Sequence, residues 1–394
     1  MPLALYALAV ATFAIGTTEF VIVGLIPGMA ADLGVSVPVA GLLVSLYALS
    51  ITVGTPIFSA LTGRFPRRSL IIALMAIFTA SNLAAALAPN YAALLASRII
   101  MGVAHGVFFG VGATVATSLV PKSKSGSAVA VMMGGLTVAM VIGVPLGSWI
   151  GQMLTWRVPF FIVTAMATIA LLGLIWQLPR TIELPAPASF WSQIGLLANK
   201  RLALMYLLTA ISFGGTFVVF TFLAPILTDI TGVAESTVGI ALLLFGGATV
   251  VGNFAGGRLT DAIGTRRSMT VLLVGLIVSF SLIPVAIHNA TAILAVIAVW
   301  GVFAFAIPPV MQAGVVTVAE EVAPGAIGTA SGMNIAAFNL GISSGSFIGG
   351  RLLEGPGLMT TPYAAIVMAV LALMLVVTAM RQPVQVVRAQ AVSR

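Results

Sequence analysis

LALYALAVATFAIGTTEFVIVGLI, residues 3–26, is a run of 24 residues that contains a single charge, Glu19. A helix needs about 20 apolar residues to cross the ~30 Å hydrocarbon core of a bilayer, so this stretch is long enough to span one. The carboxylate inside it is anomalous. A charged side chain near the bilayer centre costs at least about 2.5–3.5 kcal/mol, which makes Glu19 a functional position by default. No basic residues precede the run, and it exceeds the apolar core of a secretory signal, so it reads as a retained span.

The rest of the chain repeats this pattern. Of its 394 residues 60% are hydrophobic and 7% charged, with a mean hydropathy of +1.19. Soluble domains carry about 25% charge, so a globular enzyme is excluded. Twelve spans are predicted, at about 3–26, 39–61, 69–88, 91–118, 128–150, 158–178, 202–225, 237–257, 268–287, 291–318, 328–350 and 362–380. The fold class is therefore all-α and integral to a membrane, since helices satisfy their own backbone groups in lipid. There is no cysteine, H-E-x-x-H or phosphate-binding loop. A membrane-embedded hydrolase and an ATP-driven pump both lack their machinery.

The net charge of +8 is a matter of topology. Alternate connections hold Arg64, Arg67, Arg68; Lys122, Lys124; Arg180, Lys200, Arg201; Arg258, Arg266, Arg267; and Arg381, Arg388, Arg394. The opposite connections hold only Arg157 and Arg351. The positive-inside rule puts both termini in the cytoplasm of a cell with an inner membrane, and nucleic acid is not an expected partner. The connection Pro179–Arg201 is the longest polar one, and its piece Phe190–Ile194 is amphipathic, suited to the membrane surface with Trp191 at headgroup depth. It divides the chain into a first six-span half (1–178), a linker (179–201) and a second half with a short tail (202–394).

The halves repeat. Gly16 and Pro27 correspond to Gly214 and Pro225, Leu61-Thr62 to Leu259-Thr260, and Gly147-Ser148-Trp149-Ile150-Gly151 to Gly345-Ser346-Phe347-Ile348-Gly349, all 198 residues apart. Two six-span repeats of one topology describe a transporter with a substrate cavity near the midplane between them. The same offset sets Phe217 opposite Glu19, Val296 opposite Arg98 and Phe303 opposite His105, so the ionisable groups of the membrane interior lie in the first half alone.

Glu19 is 7 residues before Ile26 and Arg98 is 7 residues after Tyr91. At 1.5 Å per residue both lie about 10 Å below the same face. Equal depth and opposite charge predict an ion pair facing the cavity if spans 1 and 4 touch. Such a pair serves as a proton switch, as a static lock, or as a site for a cationic substrate. His105, two turns along span 4, suits either proton relay or hydrogen bonding.

Three motifs carry a resemblance. Arg98-Ile-Ile-Met-Gly102-Val-Ala-His105-Gly106 in span 4 has the form Arg-x-x-x-Gly-x-x-x-Gly. Gly143-Val-Pro145-Leu-Gly147-Ser-Trp-Ile-Gly151 lies in span 5. Gly257–Arg267, with Asp261, Arg266 and Arg267, repeats the loop motif Ala60–Arg68, where Gly63 and Pro66 replace the usual Asp and Gly. On these residues the chain resembles the major facilitator superfamily, specifically its twelve-span drug:proton antiporter branch. The Gly16-Thr17-Thr18-Glu19-Phe20 stretch is similar to that of exporters of sugars, nucleosides or chloramphenicol-type drugs.

The resemblance implies two six-helix pseudo-symmetric halves around a central cavity, a small-molecule substrate, protons as the driving partner, no cofactor and a monomer in the bilayer. It implies proton-coupled efflux, with a narrow sugar or nucleoside exporter or an uncoupled facilitator as alternatives. Arg98 is implied in proton transfer beside Glu19 and His105. Gly143, Pro145, Gly147 and Gly151 are implied in export, packed against Gly341, Gly345 and Gly349 of the other half. Arg64, Arg67, Arg68, Asp261, Arg266 and Arg267 are implied in gating, where the arginines suit helix C-termini. Glu320 and Glu321 are candidates to meet the first loop's arginines. Tyr47, Phe108, Phe217, Trp300 and Asn339 are the expected cavity walls, which favours a largely apolar or neutral polar ligand.

Overall fold

The computed structural model describes residues 2–62, 65–121, 124–182 and 190–380. Of the residues discussed above, Gly63, Arg64, Lys122, Arg381, Arg388 and Arg394 lie outside that set. The described chain is helical, with membrane-crossing helices at Leu3–Val21 (span 1), Val37–Leu61 (2), Arg67–Ala86 (3), Tyr91–Ser118 (4), Ser125–Met153 (5), Arg157–Gln177 (6), Lys200–Phe220 (7), Ala290–Val322 (10), Ile327–Glu354 (11) and Thr361–Ala379 (12). Spans 8 and 9 form one run, Glu235–Ala286, interrupted only at Gly264. There φ is 77° and ψ 162°, a left-handed backbone that glycine tolerates at no steric cost. The loop expected around 258–267 is therefore mostly helix. Among the described residues, ten helices are apolar and long enough to cross a membrane by themselves. Splitting the run at Gly264 and adding the 28-residue span 11, rich in glycine, serine and asparagine, gives twelve.

Local chemistry sets the ends. Asn90 and Asn289 cap spans 4 and 10 by accepting from Ala93 N and Ala292 N, both at 2.9 Å. Gly34 (φ 64°) and Gly232 (φ 73°), in repeat register, stop the short helical pieces that follow spans 1 and 7. Span 5 carries a π turn at Ala139–Gly143 just before Pro145, whose missing N–H breaks the regular ladder.

Within the first half, span 1 packs on 5 and 6, span 2 on 4, and span 3 on 4 and 6; the second half repeats this with spans 7–12. Two seams join the halves, span 2 on 11 and span 5 on 8. Two of the three ties that follow lie toward the side away from the termini, hereafter the far side, and the Thr52–Ala336 bond lies nearer the linker side. Ser45 Oγ donates to Ser343 O at 3.1 Å, Thr52 Oγ1 to Ala336 O at 3.2 Å, and the rings of Phe20 and Phe217 meet at 6.2 Å. A Cβ on Gly246 of span 8 would stand 2.1 Å from Met140 O of span 5, so that seam closes backbone to backbone.

The glycine motifs correct an expectation. Gly143, Gly147 and Gly151 face Thr17, Val21 and Leu25 of span 1, in their own half. Gly341, Gly345 and Gly349 likewise face Ala210, Gly214 and Val218 of span 7. Neither row meets the other. Small residues let a neighbouring backbone approach closely, and here the neighbours are spans 1 and 7.

Candidate functional site

Spans 1, 2, 3 and 4 assemble a polar node around Arg98. Its side chain is fully buried. Nη1 donates to Thr18 O at 2.9 Å, Nε donates to Leu43 O at 3.3 Å, and the guanidinium carbon sits 3.9 Å above the Tyr47 ring. The Thr18 carbonyl is available because the α-helix ends at Val21 and gives way to a tighter turn at Ile22–Gly24, and the last carbonyls of a helix have no partner within it. Tyr47 Oη lies 2.9 Å from Nδ1 of His105, whose ring packs 4.8 Å from Phe109. Thr18 Oγ1 donates to Asn82 Oδ1 at 2.7 Å, and Asn82 Nδ2 donates to Phe78 O.

Spans 1 and 4 touch, and Arg98 reaches the residue adjacent to Glu19, so the depth arithmetic holds. The direct ion pair does not form. Among the described residues Glu19 makes no ion pair within 4.0 Å and no hydrogen bond, although it is only 9% exposed. Two carbonyls and an aromatic face hold the guanidinium instead, while Arg98 Nη2 stays buried without a partner. The carbonyl that the turn at Ile22–Gly24 leaves without a helix partner and the Leu43 carbonyl of span 2 orient the guanidinium away from the carboxylate.

The second half fills the same place with aromatic rings. Phe217 takes the position of Glu19, Phe245 that of Tyr47 and Phe280 that of Asn82. In span 10 the register moves by one residue, because the matching caps Asn90 and Asn289 are 199 apart. Arg98 thus matches Ile297, not Val296, and His105 matches Ala304, not Phe303. Met101 matches Trp300. Phe220 stacks on Phe245 at 4.5 Å, Phe245 meets Trp300 at 5.0 Å, and Phe280 meets Trp300 at 5.7 Å.

The expected cavity walls therefore divide. Trp300 and Phe217 are fully buried and belong to this cluster. Phe108 is buried edge-on to Phe109, and Tyr47 is buried in the polar node. Asn339 lies in the seam with span 2. Its Nδ2 donates to Ile335 O at 3.0 Å and its Oδ1 is buried without a partner.

The motif arginines cap helices. Arg68 donates to Leu178 O and Ile175 O of span 6 at 3.2 and 2.6 Å. Arg266 donates to Val376 O and Val377 O of span 12 at 3.3 and 2.7 Å. Arg67 is buried, while Asp261 and Arg267 are exposed. Glu321 pairs with Arg201, at the start of span 7, at 2.7 Å.

The bond between Thr18 and Asn82 joins two polar residues of spans 1 and 3 whose pairing the sequence does not indicate. Sequence reasoning missed a far-side knot. There Asp32 Oδ2 accepts from Trp156 Nε1 and Arg157 Nη1, and Arg157 Nη2 donates to Ala88 O. The bonds from Arg157 and then Trp156 hold the Asp32 carboxyl below the usual aspartate range.

A buried carboxylate and arginine inside two six-helix halves of the same packing describe a membrane transporter. The family model of the Major Facilitator Superfamily matches residues 8–227 and 205–392, and the chain belongs to that family. It is 38% identical over 383 residues to "Inner membrane transport protein YdhP" of Escherichia coli K12, covering 96% of each chain. It is 35% identical over 361 residues to a "Chloramphenicol resistance protein" of Streptomyces lividans, covering 88% of this chain and 91% of that one. A bacterial homologue of the human lysosomal transporter Spinster, in an inward-facing and occupied conformation, superposes with a TM-score of 0.77 at 17% identity over 95% of each chain. The relatives are transporters, and the chain is a transporter and not an enzyme.

Proposed function

We propose that the chain exports small drug-like or neutral polar molecules by alternating access, exchanging them for protons at Glu19. The observation that carries this is the state of Glu19 itself. It is a buried carboxylate beside a buried arginine, with no partner of its own, so gaining or losing a proton breaks no hydrogen bond. Arg98, held by carbonyls, supplies a fixed positive field that favours the ionised form, while burial favours the neutral one. Tyr47 and His105 extend the node along span 4 and offer a relay. The relationship to a chloramphenicol resistance protein supports efflux.

In this reading the linker side is cytoplasmic and the membrane is an inner one, as the basic connections and the name of the Escherichia coli relative suggest. Closed far-side seams then correspond to an inward-facing posture. The motif arginines brace spans 6 and 12 at the cytoplasmic face, and the chain acts as a monomer. A membrane driving force of ~150 mV is worth roughly 3.5 kcal/mol per proton, scaled from ~2.3 per 100 mV.

The test is chloramphenicol efflux with proton counterflow in proteoliposomes carrying Glu19→Gln. The expected outcome is loss of pH-driven accumulation with substrate binding retained. Full pH-driven transport in this variant would remove Glu19 from coupling.

A further inference from the structure

Below the Thr52–Ala336 hydrogen bond the seam between spans 2 and 11 opens sideways into a cavity of about 440 Å³. Val53 and Ile57 of span 2 form one wall, Ala337 and Leu340 of span 11 the other, Leu207 of span 7 the floor, and Leu197 of the linker the end. Val53, Leu207, Leu340 and Leu197 are 50, 49, 44 and 45% exposed, so the cavity faces the bilayer and not the middle of the protein.

Its chemistry selects an occupant. No charged side chain lines it. The Thr52 hydroxyl is already donated to Ala48 O and Ala336 O. Tyr206 also lines it, with its hydroxyl buried and without a hydrogen-bond partner. Gln193 is the third polar side chain of the lining and the other twelve residues are apolar, so a solute with several polar groups leaves most of them unpaired, at a cost of about 1–3 kcal/mol each. The lining on span 7 extends from Ala203 to Ala210, about 10 Å along the helix axis. The groove therefore runs parallel to the lipid chains, and the surface helix Phe190–Gly195, with Trp191 77% exposed, covers its headgroup end.

We propose that this groove is a binding site for one phospholipid acyl chain from the leaflet on the linker side. The chain wedges between the two halves, because span 2 belongs to one half and spans 7 and 11 to the other. Its occupancy is thus linked to their relative position.

The chain has no native cysteine, so Leu207→Cys carries a unique bimane label, and Ile169→Cys on the outer face of span 6, 64% exposed, serves as a bulk-lipid control. The full chain is reconstituted in phosphatidylcholine containing increasing fractions of chain-brominated phosphatidylcholine. The bimane at 207 is expected to be quenched, with at least half of that quenching lost when Ala203→Phe or Ala337→Phe fills the groove, while quenching at 169 is unchanged. Two fillers from different helices guard against a folding defect in either. Absence of quenching at 207, or quenching indifferent to both fillers, overturns the site. Tyr206→Phe is expected to leave quenching unaltered. A Tyr206→Phe change that displaces the occupant identifies a hydrogen-bonding solute and also overturns the proposal.

Discussion

At one location in each half, the same four-helix environment holds opposite chemistries. The first half places Glu19, Tyr47, Asn82, Arg98 and His105 there, and the second places Phe217, Phe245, Phe280, Ile297 and Ala304, with Trp300 beside them. The aromatic version is filled by rings at 4.5–5.7 Å, a packing that needs no partner beyond close contact. The polar version is held by directional bonds to carbonyls, and it leaves Arg98 Nη2 unmatched. One half is built to stay as it is. The other holds a buried cation with one unmatched donor beside a buried carboxylate, and this asymmetry is what the proposed proton exchange rests on.

The sharpest break in the comparison is Arg98→Met against Ile297→Met. The first strands the Thr18 and Leu43 carbonyls, and hydrogen bonds to charged groups are worth about 1.5–3 kcal/mol each. The second is a volume-conserving apolar exchange, typically costing under about 1.5 kcal/mol. Thermal unfolding in detergent, with transport assayed in parallel, should show a marked fall in Tm and no transport for Arg98→Met alone.

Next in size is Gly246→Val against Gly247→Ala. A Cβ at 246 meets Met140 O at 2.1 Å, backbone that does not yield, whereas a Cβ at 247 meets nothing within 4 Å. Gly246→Val should prevent the far-side seam from closing, read as increased labelling of a cysteine placed at Gly239 by a water-soluble maleimide from that side. Gly247→Ala should leave labelling unchanged and stabilise by up to about 1 kcal/mol.

Tyr47→Phe turns the first half toward the second at one atom. It removes the bond to His105 and keeps the ring under Arg98, so the cost should be near the average of about 0.6 kcal/mol for a membrane hydrogen bond. The pH profile of transport should shift if His105 relays protons and stay fixed if it does not. The smallest effect belongs to the Asp32 knot, which the second half lacks. A carboxyl held below its usual range adds stability above about pH 4 that is lost as pH falls through its depressed value. Tm of wild type and Arg157→Gln should converge on acidification and separate above that point.

Glu19, the twelve spans and the repeat were legible in the sequence because a charge in an apolar run and a fixed offset are one-dimensional signals. The direct Glu19–Arg98 pair was a reasonable inference from depth, but depth fixes only one coordinate. Which acceptor a guanidinium meets depends on helix rotation and on where span 1 stops being α-helical. The span 10 equivalences failed for a smaller reason, one extra residue between spans 9 and 10, visible only once the caps Asn90 and Asn289 are superposed.

What the sequence determined by itself was everything that hydrocarbon dictates: the number and length of the helices, the rarity of buried charge and its confinement to one half. Tertiary structure decided the partners. Arg98 chose carbonyls over a carboxylate, and the span 5 glycines chose span 1 over the other half. The seam between spans 5 and 8 came to rest on Gly246. Contacts across helices depend on rotation and approach of whole elements, which a residue pattern along one helix leaves free.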